Sequence, residues 1–380
     1  MAKGMMDRRE FLAAGGAAVL CGASGFRLRD KVAIPDWAKR EIDTALARYR
    51  AWKGKDGTVT FPIITDVHSK TVDLPKDYAF SDSKMHVLLA QHAADLADAD
   101  FLADLGDIDL DLGVPIDKKW PPTFRCCTPD EMLARVETQR KLYQDWMRPV
   151  LFALGNHDHS KGRFSSAEFG KAFNVGVTRA HGHKLELGED GSYGYYDLPE
   201  KKTRAIVLNS SDEGYYGYST RQLAFFAKAL ETVPVGWTAL MLQHFCIRTE
   251  IGYWKTFRDT KAARQETALR MMEDFVARKS GEGDGVKWDF AAVKDAAFAG
   301  CFFGDSHYDN YAKTNGVDYT VSQGYGGIPL KEIENGAVFT PFSRASQMLV
   351  DLVAVKPAKR EVRVFRIGAG GAARDRGYSY

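Results

Sequence analysis

The chain has 380 residues, which is enough for one large domain or two ordinary ones. Apolar residues make up 45% of it and charged residues 27%, within the usual range of globular proteins. The net charge of +2 gives no electrostatic reason to expect a nucleic-acid partner. The five cysteines fit no zinc-finger spacing.

The first 26 residues differ in composition from the rest of the chain. A basic start leads into "RREFL" at residues 8–12, and a short run of small and apolar residues ends near Cys21. The pattern resembles a twin-arginine export signal. The run is shorter than the roughly 20 residues that a membrane-spanning helix needs, and no later run is long enough. We predict a signal peptide at 1–26 and an exported protein, periplasmic or at the cell surface, with no transmembrane segment; a cytosolic leader is the alternative.

From residue 58 onward, apolar runs typical of strands alternate with helical patterns. Residues 27–57 are predicted to be a helical lead-in, 58–368 one domain, and 369–380 an irregular Gly-rich tail. In residues 219–231, apolar side chains recur at helical spacing behind Ser219, a residue typical of helix N-caps. The alternation of strands and helices predicts an α/β architecture, and the β-rich final third favours a mixed sheet.

Five of the apolar runs end in side chains of the kinds that bind metal ions. These are Asp66 and His68 in "PIITDVH", Asp107 in "LADLGD", Asn156, His157 and Asp158 in "VLFALGNHD", His244 in "ALMLQHF", and Asp305 and His307 in "GCFFGDSH". Ligands of open α/β sheets bind at the carboxyl ends of strands. A single Asp here is equally typical of turns and caps, so the repetition of the pattern is what predicts one shared site.

The order of these motifs resembles the calcineurin-like metallophosphoesterase superfamily, across about residues 58–310. The pieces "LGNHD" and "TDVH" are the most specific. The resemblance implies a four-layer α-β-β-α sandwich of two mixed β-sheets flanked by helices. It also implies a phosphatase or phosphodiesterase with a dinuclear metal site at the strand ends.

The same resemblance implies a role for each metal ligand. The first ion would be held by Asp66, His68, Asp107 and His307, and the second by Asn156 and His244, with Asp107 as the bridge. Two divalent ions (Mn, Mg, Fe, Zn or Ca) would neutralise the phosphate charge and supply a bound hydroxide near neutral pH. Asn156 as an ordinary turn residue is the alternative for that position.

The resemblance also implies an acid catalyst. A metal-bound hydroxide would attack a phosphomonoester or phosphodiester of a small molecule or other phosphorylated substrate. His157 would protonate the leaving oxygen, and Asp158 would orient the His157 imidazole. Asp158 is alternatively a cap of the following turn.

Asp305 departs from the family pattern. The family usually has Gly-His-x-His here, whereas this chain has Gly-Asp-Ser-His at 304–307. As a ligand of the second ion, Asp305 would add a negative charge and favour harder ions such as Mg²⁺, Mn²⁺ or Ca²⁺ over Zn²⁺. Alternatively, its shorter side chain does not reach the ion, and the second site is weak.

Two other groups of side chains compete for a place in the site. His181 and His183 form another His-x-His, but they precede the His244 run and follow no apolar run, which predicts an exposed loop. Tyr215, Tyr216 and Tyr218 follow a strand and either line a substrate cleft or pack; the pattern favours packing.

Two other functions remain open at this level. A catalytically weakened relative would bind a phosphate-bearing or glycan ligand at the cell surface, and the intact His157–Asp158 pair weighs against it. A serine esterase is disfavoured because the chain has no G-x-S-x-G elbow.

Overall fold

The computed structural model describes residues 33–54, 57–68, 83–108, 114–115, 124–125, 129–159, 165–248, 251, 263–322, 324 and 348–380. The predicted signal peptide lies outside these residues. The α-helices are α1 (Asp36–Lys53), α2 (Ser83–Ala97), α3 (Pro129–Gln144), α4 (Asn156–His159), α5 (Ser166–Gly170), α6 (Thr220–Glu231) and α7 (Gln265–Ala277), and a π-helix (Lys171–Thr178) follows α5.

The strands form two large sheets and two small hairpins. In chain order they are β1 (Val59–Ile64), β2 (Leu102–Asp104), β3 (Val114–Pro115), β4 (Phe124–Arg125), β5 (Val150–Phe152), β6 (Leu185–Leu187), β7 (Gly194–Leu198), β8 (Thr203–Val207), β9 (Thr238–Gln243), β10 (Ser280–Gly283), β11 (Val286–Asp289), β12 (Ala297–Phe303), β13 (Asn310–Thr314), β14 (Val317–Val321), β15 (Leu349–Lys356), β16 (Glu361–Gly368) and β17 (Arg376–Ser379). The first sheet has the order β17-β16-β15-β1-β2-β5, and the second β13-β14-β12-β9-β8-β7-β6.

Both large sheets are mixed. In the first sheet β1, β2 and β5 run parallel, whereas β15 is antiparallel to β1. In the second sheet β8, β9, β12 and β14 run parallel, whereas β7 and β13 pair antiparallel at either side. The parallel strands lie at one side of the first sheet and at the centre of the second, and both sheets are mixed, as the β-rich final third of the sequence favoured.

Three apolar clusters divide the molecule into layers. One joins α1 and α2 to the first sheet and includes Ile42, Leu89 and Leu352. Another joins α6 and α7 to the second sheet. The third lies between the sheets, where Phe61 of β1 meets Phe302 of β12 with ring centroids 5.7 Å apart. The predicted four-layer α-β-β-α sandwich is confirmed.

The central strands are apolar on both faces because each sheet is covered on both sides. In β9, Ala239 and Met241 point to the α6–α7 layer, and Leu240 and Leu242 point to the other sheet. Outside the sheets, the predicted cap of α6 is also confirmed, since the Ser219 side chain accepts a hydrogen bond from the backbone N–H of Gln222.

The expectation of an irregular tail is wrong for its last residues. Strand β17 pairs antiparallel with β16 and closes the edge of the first sheet. Its side chains find distant partners: Arg376 binds the Asp351 carboxylate at 2.6 Å, and the Tyr378 hydroxyl donates to the Ala299 carbonyl at 2.8 Å. Among the described residues, no helix is long and apolar enough to cross a membrane.

Candidate metal centre

Five parallel strands from the two sheets end at the same edge of the sandwich. Strands β1, β2 and β5 of the first sheet lead into Asp66, Asp107 and Asn156, and β9 and β12 of the second lead into His244 and Asp305. Because parallel strands present their carboxyl ends together, residues far apart in sequence meet there. The structure brings all seven predicted metal ligands to this edge.

The ligand-bearing turns share an uncommon backbone conformation. Asp66, His68, Asp107, Asp305 and His307 all have φ between 50° and 60°. The left-handed region costs roughly 1–3 kcal/mol for a non-glycine residue and concentrates at functional sites. Asp and His tolerate it better than most residues. The chain therefore accepts local strain to turn these side chains toward one point.

Backbone contacts lock these turns against one another. The Asp66 N–H donates to the Gly106 carbonyl at 2.9 Å, and the His68 N–H donates to the Asp107 carbonyl at 2.9 Å. On the second sheet, Gly304 packs so closely on Thr65 that a Cβ at this position would collide with the Thr65 side chain. The ends of β1, β2 and β12 thus form one unit.

The first group of ligand atoms belongs to Asp66, His68 and His307, all within 4.8 Å of one another. Asp66 Oδ2 accepts hydrogen bonds from the Thr65 hydroxyl at 2.7 Å and the Asp305 N–H at 3.1 Å. Asp66 Oδ1 is buried with no hydrogen-bond donor among the described residues, and His307 Nε2 lies 3.4 Å from it. A buried carboxylate oxygen in this position is what a cation would satisfy.

The second group belongs to Asp66, Asp107 and His244, again within 4.8 Å. His244 Nδ1 lies 2.7 Å from the Leu105 carbonyl, so this nitrogen carries the proton of a neutral imidazole. Acceptor oxygens surround the other nitrogen, Nε2: Asn156 Oδ1 at 3.0 Å, Asp107 Oδ2 at 3.4 Å and Asp305 Oδ1 at 3.7 Å. A lone pair facing three oxygens is the donor set of a metal site.

The electrostatics of the site agree with this donor set. Burial, together with the Asp66 and Asp107 carboxylates, raises the pKa of Asp305 to about 8 despite the nearby His244 imidazole. Burial alone would lower the pKa of His244, but the Asp107, Asp66 and Asp305 carboxylates raise it well above its usual value. Without bound metal, the carboxylates of the site give it an excess of buried negative charge, which divalent cations would balance. The residues present therefore fit a metal centre.

The structure and the family resemblance differ in the carboxylate that the two metal subsites share. Asp66 belongs to both groups of ligand atoms, whereas Asp107 belongs only to the second. Asp107 is held by the backbone N–H of His157, which donates to its Oδ1 at 2.8 Å. The bridge by Asp107 stays a prediction.

His157 and Asp158 differ in their surroundings. The His157 side chain is 29% exposed, and its Nε2 lies 3.8 Å from Asp107 Oδ2. Asp158 is buried, and its Oδ2 accepts the N–H groups of Asp107 at 2.9 Å and Gly155 at 3.0 Å. Asp158 therefore fixes the turn that carries Asp107. Its orientation of His157 stays a prediction.

Two residues that the sequence did not single out as ligands or catalysts support the ligands. The Tyr215 hydroxyl accepts a hydrogen bond from Asn156 Nδ2 at 2.8 Å, whereas packing was expected for it. Asp104 accepts the Tyr143 hydroxyl and, at 3.2 Å, the N–H of Gly106. Like the ligands, Tyr215 lies in a segment that follows a strand, in this case β8. That position in the sequence is the signal that could have identified it.

The competing side chains are placed only in part as the sequence predicted, because His181 and His183 are half-buried rather than exposed. His181 and His183 face the carbonyls of Gln144 and Met147, each at 3.0 Å, and belong to neither group of ligand atoms. Tyr216 and Tyr218 are buried and pack, whereas Tyr215 is 50% exposed.

The sequence matches no protein-family model and no curated protein. Solved structures do match. A dimetal phosphatase from Danio rerio has a TM-score of 0.53 at 12% identity, over 85% of this chain and 99% of that one. GAP50, the anchor in the inner membrane complex of Plasmodium, has a TM-score of 0.46 at 9% identity, over 85% and 88%. Purple acid phosphatase PPD1 from yellow lupin seeds has a TM-score of 0.45 at 13% identity, over 86% and 53%. The chain shares the calcineurin-like fold of the Danio rerio phosphatase.

Proposed function

We propose that this protein is a metal-dependent phosphoesterase that hydrolyses phosphomonoester or phosphodiester bonds. The observation that carries the proposal is the convergence of ligand atoms from four strand ends, those of β1, β2, β9 and β12, into two groups that share Asp66. The Danio rerio protein with the same fold is named a dimetal phosphatase, which agrees with the proposal.

The ligands would hold two divalent ions. Asp66, His68 and His307 would hold one, and Asn156, His244 and Asp305 the other, with Asp107 between them. When bound, the ions supply charge neutralisation and a nucleophilic water near neutral pH. The Leu105 carbonyl keeps the His244 proton on Nδ1, so that Nε2 offers its lone pair to the ion.

His157 would act as the general acid. Its side chain is the more exposed partner of the His157–Asp107 pair, while its main chain is anchored to Asp107 Oδ1. The protonated His157 imidazole would donate its proton to the ester oxygen of the leaving alcohol.

The test is hydrolysis of an aryl phosphomonoester and an aryl phosphodiester by the purified protein loaded with Mn²⁺. We expect turnover by the wild type, its loss in Asp107→Ala and a lower rate in His157→Ala. His183→Ala is the matched control, because His183 lies outside the ligand groups, and it should keep full activity. Turnover that survives both site substitutions would rule the proposal out.

We also propose that the protein is exported by the twin-arginine route. The support is "RREFL" at residues 8–12 and the short apolar run behind it. Replacing Arg8 and Arg9 by Lys should abolish export of the full chain, measured by cell fractionation. Unchanged export of this variant would contradict the proposal.

A further inference from the structure

Tyr215 makes the contact from which this inference starts. Its hydroxyl lies 2.8 Å from Asn156 Nδ2 and accepts the amide proton. The opposite end of the same amide, Oδ1, points to His244 Nε2 at 3.0 Å. An asparagine amide has a donor end and an acceptor end, and only the oxygen end can bind a cation.

Both the ring and the backbone of Tyr215 are held in place. Its centroid lies 5.8 Å from that of Phe245, the residue after His244, and the Tyr215 backbone carbonyl accepts the Ser211 hydroxyl at 3.1 Å. Ser211 N–H donates in turn to Asn209 Oδ1 at 2.9 Å. The phenol oxygen is therefore presented to Asn156 by a turn that is itself hydrogen-bonded.

The contact also crosses between the sheets. Asn156 follows β5 of the first sheet, and Tyr215 lies in the segment after β8 of the second. Conversely, His244, which follows a strand of the second sheet, is oriented by the Leu105 carbonyl, which follows a strand of the first. Asn156 and His244 are thus each oriented by a group from the other sheet.

We infer that Tyr215 is a positioning residue for the second metal subsite: it holds the Asn156 amide with its oxygen toward the ion. The inference rests on the proposed metal site. Partners that orient metal ligands commonly contribute 10–100-fold to metal affinity. Loss of the Tyr215 hydroxyl should therefore weaken the second ion without affecting the ion bound by Asp66, His68 and His307.

The test is calorimetric titration of metal-free protein with Mn²⁺, comparing wild type, Tyr215→Phe and Tyr216→Phe. Phenylalanine keeps the ring packing on Phe245 and removes one oxygen. Tyr216→Phe is the matched control, because its hydroxyl binds the Cys246 carbonyl and its ring also packs on Phe245. We expect Tyr215→Phe to bind one of the two ions about 10-fold less tightly, with the other ion and the control unchanged.

A double variant shows whether the effect passes through Asn156. In the Asn156→Ala background, Tyr215→Phe should cause no further loss of affinity, because the two side chains then no longer interact. Equal affinities in Tyr215→Phe and wild type, or an equal loss for both ions, would overturn the inference. A wild type that binds fewer than two ions would instead count against the proposed function.

Discussion

The Nε2 atom of His244 lies 3.0 Å from the Oδ1 atom of Asn156, and neither atom carries a proton when the imidazole is neutral. The Leu105 carbonyl, 2.7 Å from His244 Nδ1, keeps the proton on the other side of the ring. Two lone pairs that face each other in a buried site destabilise the fold unless a proton or a cation lies between them. His244 and Asn156 come from different sheets, so a bound ion would join the two halves of the sandwich.

The general-acid role of His157 predicts a dependence on the leaving group. His157→Gln should lower kcat by about 10²–10⁴-fold for alkyl phosphates, whose leaving oxygens need a proton. The loss should be smaller for aryl phosphates, which leave more easily. The measurement is kcat for a series of esters, with metal content determined in parallel. Equal losses for all esters, with metal retained, would exclude acid catalysis by this residue.

The carboxylate at position 305 predicts a preference among metals. Asp305→His removes one negative charge near His244 Nε2 and adds a nitrogen ligand, which suits Zn²⁺ better than Mn²⁺. We expect the ratio of Zn²⁺ to Mn²⁺ affinity to rise by about 10-fold or more. Asp305→Asn, which removes the charge but adds no imidazole, is the control. A ratio identical in wild type and Asp305→His would show that Asp305 does not face the ion.

Asp104 predicts a pH effect on stability. Burial raises its pKa from 3.8 to about 7, despite the hydrogen bonds from Tyr143 and Gly106. In metal-free protein, the stabilisation from the neutral carboxyl is complete below about pH 4 and is lost as pH rises through about 7. The free energy of unfolding of Asp104→Asn relative to wild type should therefore rise between these values, by roughly 1 kcal/mol per pH unit.

Urea unfolding of both proteins at several pH values gives this difference directly. Titrations elsewhere in the chain cancel when the two proteins are compared at the same pH. A difference that stays constant from pH 4 to pH 7 would show that the Asp104 carboxyl does not titrate in this range.

A buried ionic network predicts a large loss of stability. Arg366 is 1% exposed and binds Asp351 at 2.8 Å and Asp309 at 2.5 Å. Asp309 lies two residues after His307, so the network also anchors a ligand-bearing turn. Arg366→Met leaves two buried carboxylates without this partner and should cost about 3–5 kcal/mol of unfolding free energy.

The control for this network is an exposed ion pair. Lys39 binds Asp36 at 3.2 Å on the surface of α1, with side chains 50% and 83% exposed. Lys39→Met should change the urea midpoint little, because solvent screens such pairs. If Arg366→Met unfolds at the same urea concentration as Lys39→Met, the network does not stabilise the protein.

The sequence predicted the α/β class and the place of the site because both depend on strand periodicity. Strands covered on both faces are continuous apolar runs, as in β9 and β12, and the polar side chains that end them are visible without any tertiary information. The α/β architecture and the convergence of strand ends follow from this pattern, whereas the four-layer sandwich was implied by the resemblance of the motifs to a known family.

The supporting contacts were not predictable in this way. Asn156 and Tyr215 are 59 positions apart and lie on different sheets, so their contact depends on how the sheets pack. The φ of about 56° at Asp66 likewise follows from the close approach of neighbouring turns. Strand β17 forms because Arg376 and Tyr378 meet Asp351 and Ala299, far away in the sequence.

The most direct measurement of the central claim is anomalous X-ray scattering from crystals grown with Mn²⁺. We expect two anomalous peaks roughly 3.5–4 Å apart, one next to Asp66, His68 and His307 and the other next to Asp107, Asn156 and His244. A single peak, or peaks away from these residues, would contradict the assignment of the five strand ends to one dinuclear site.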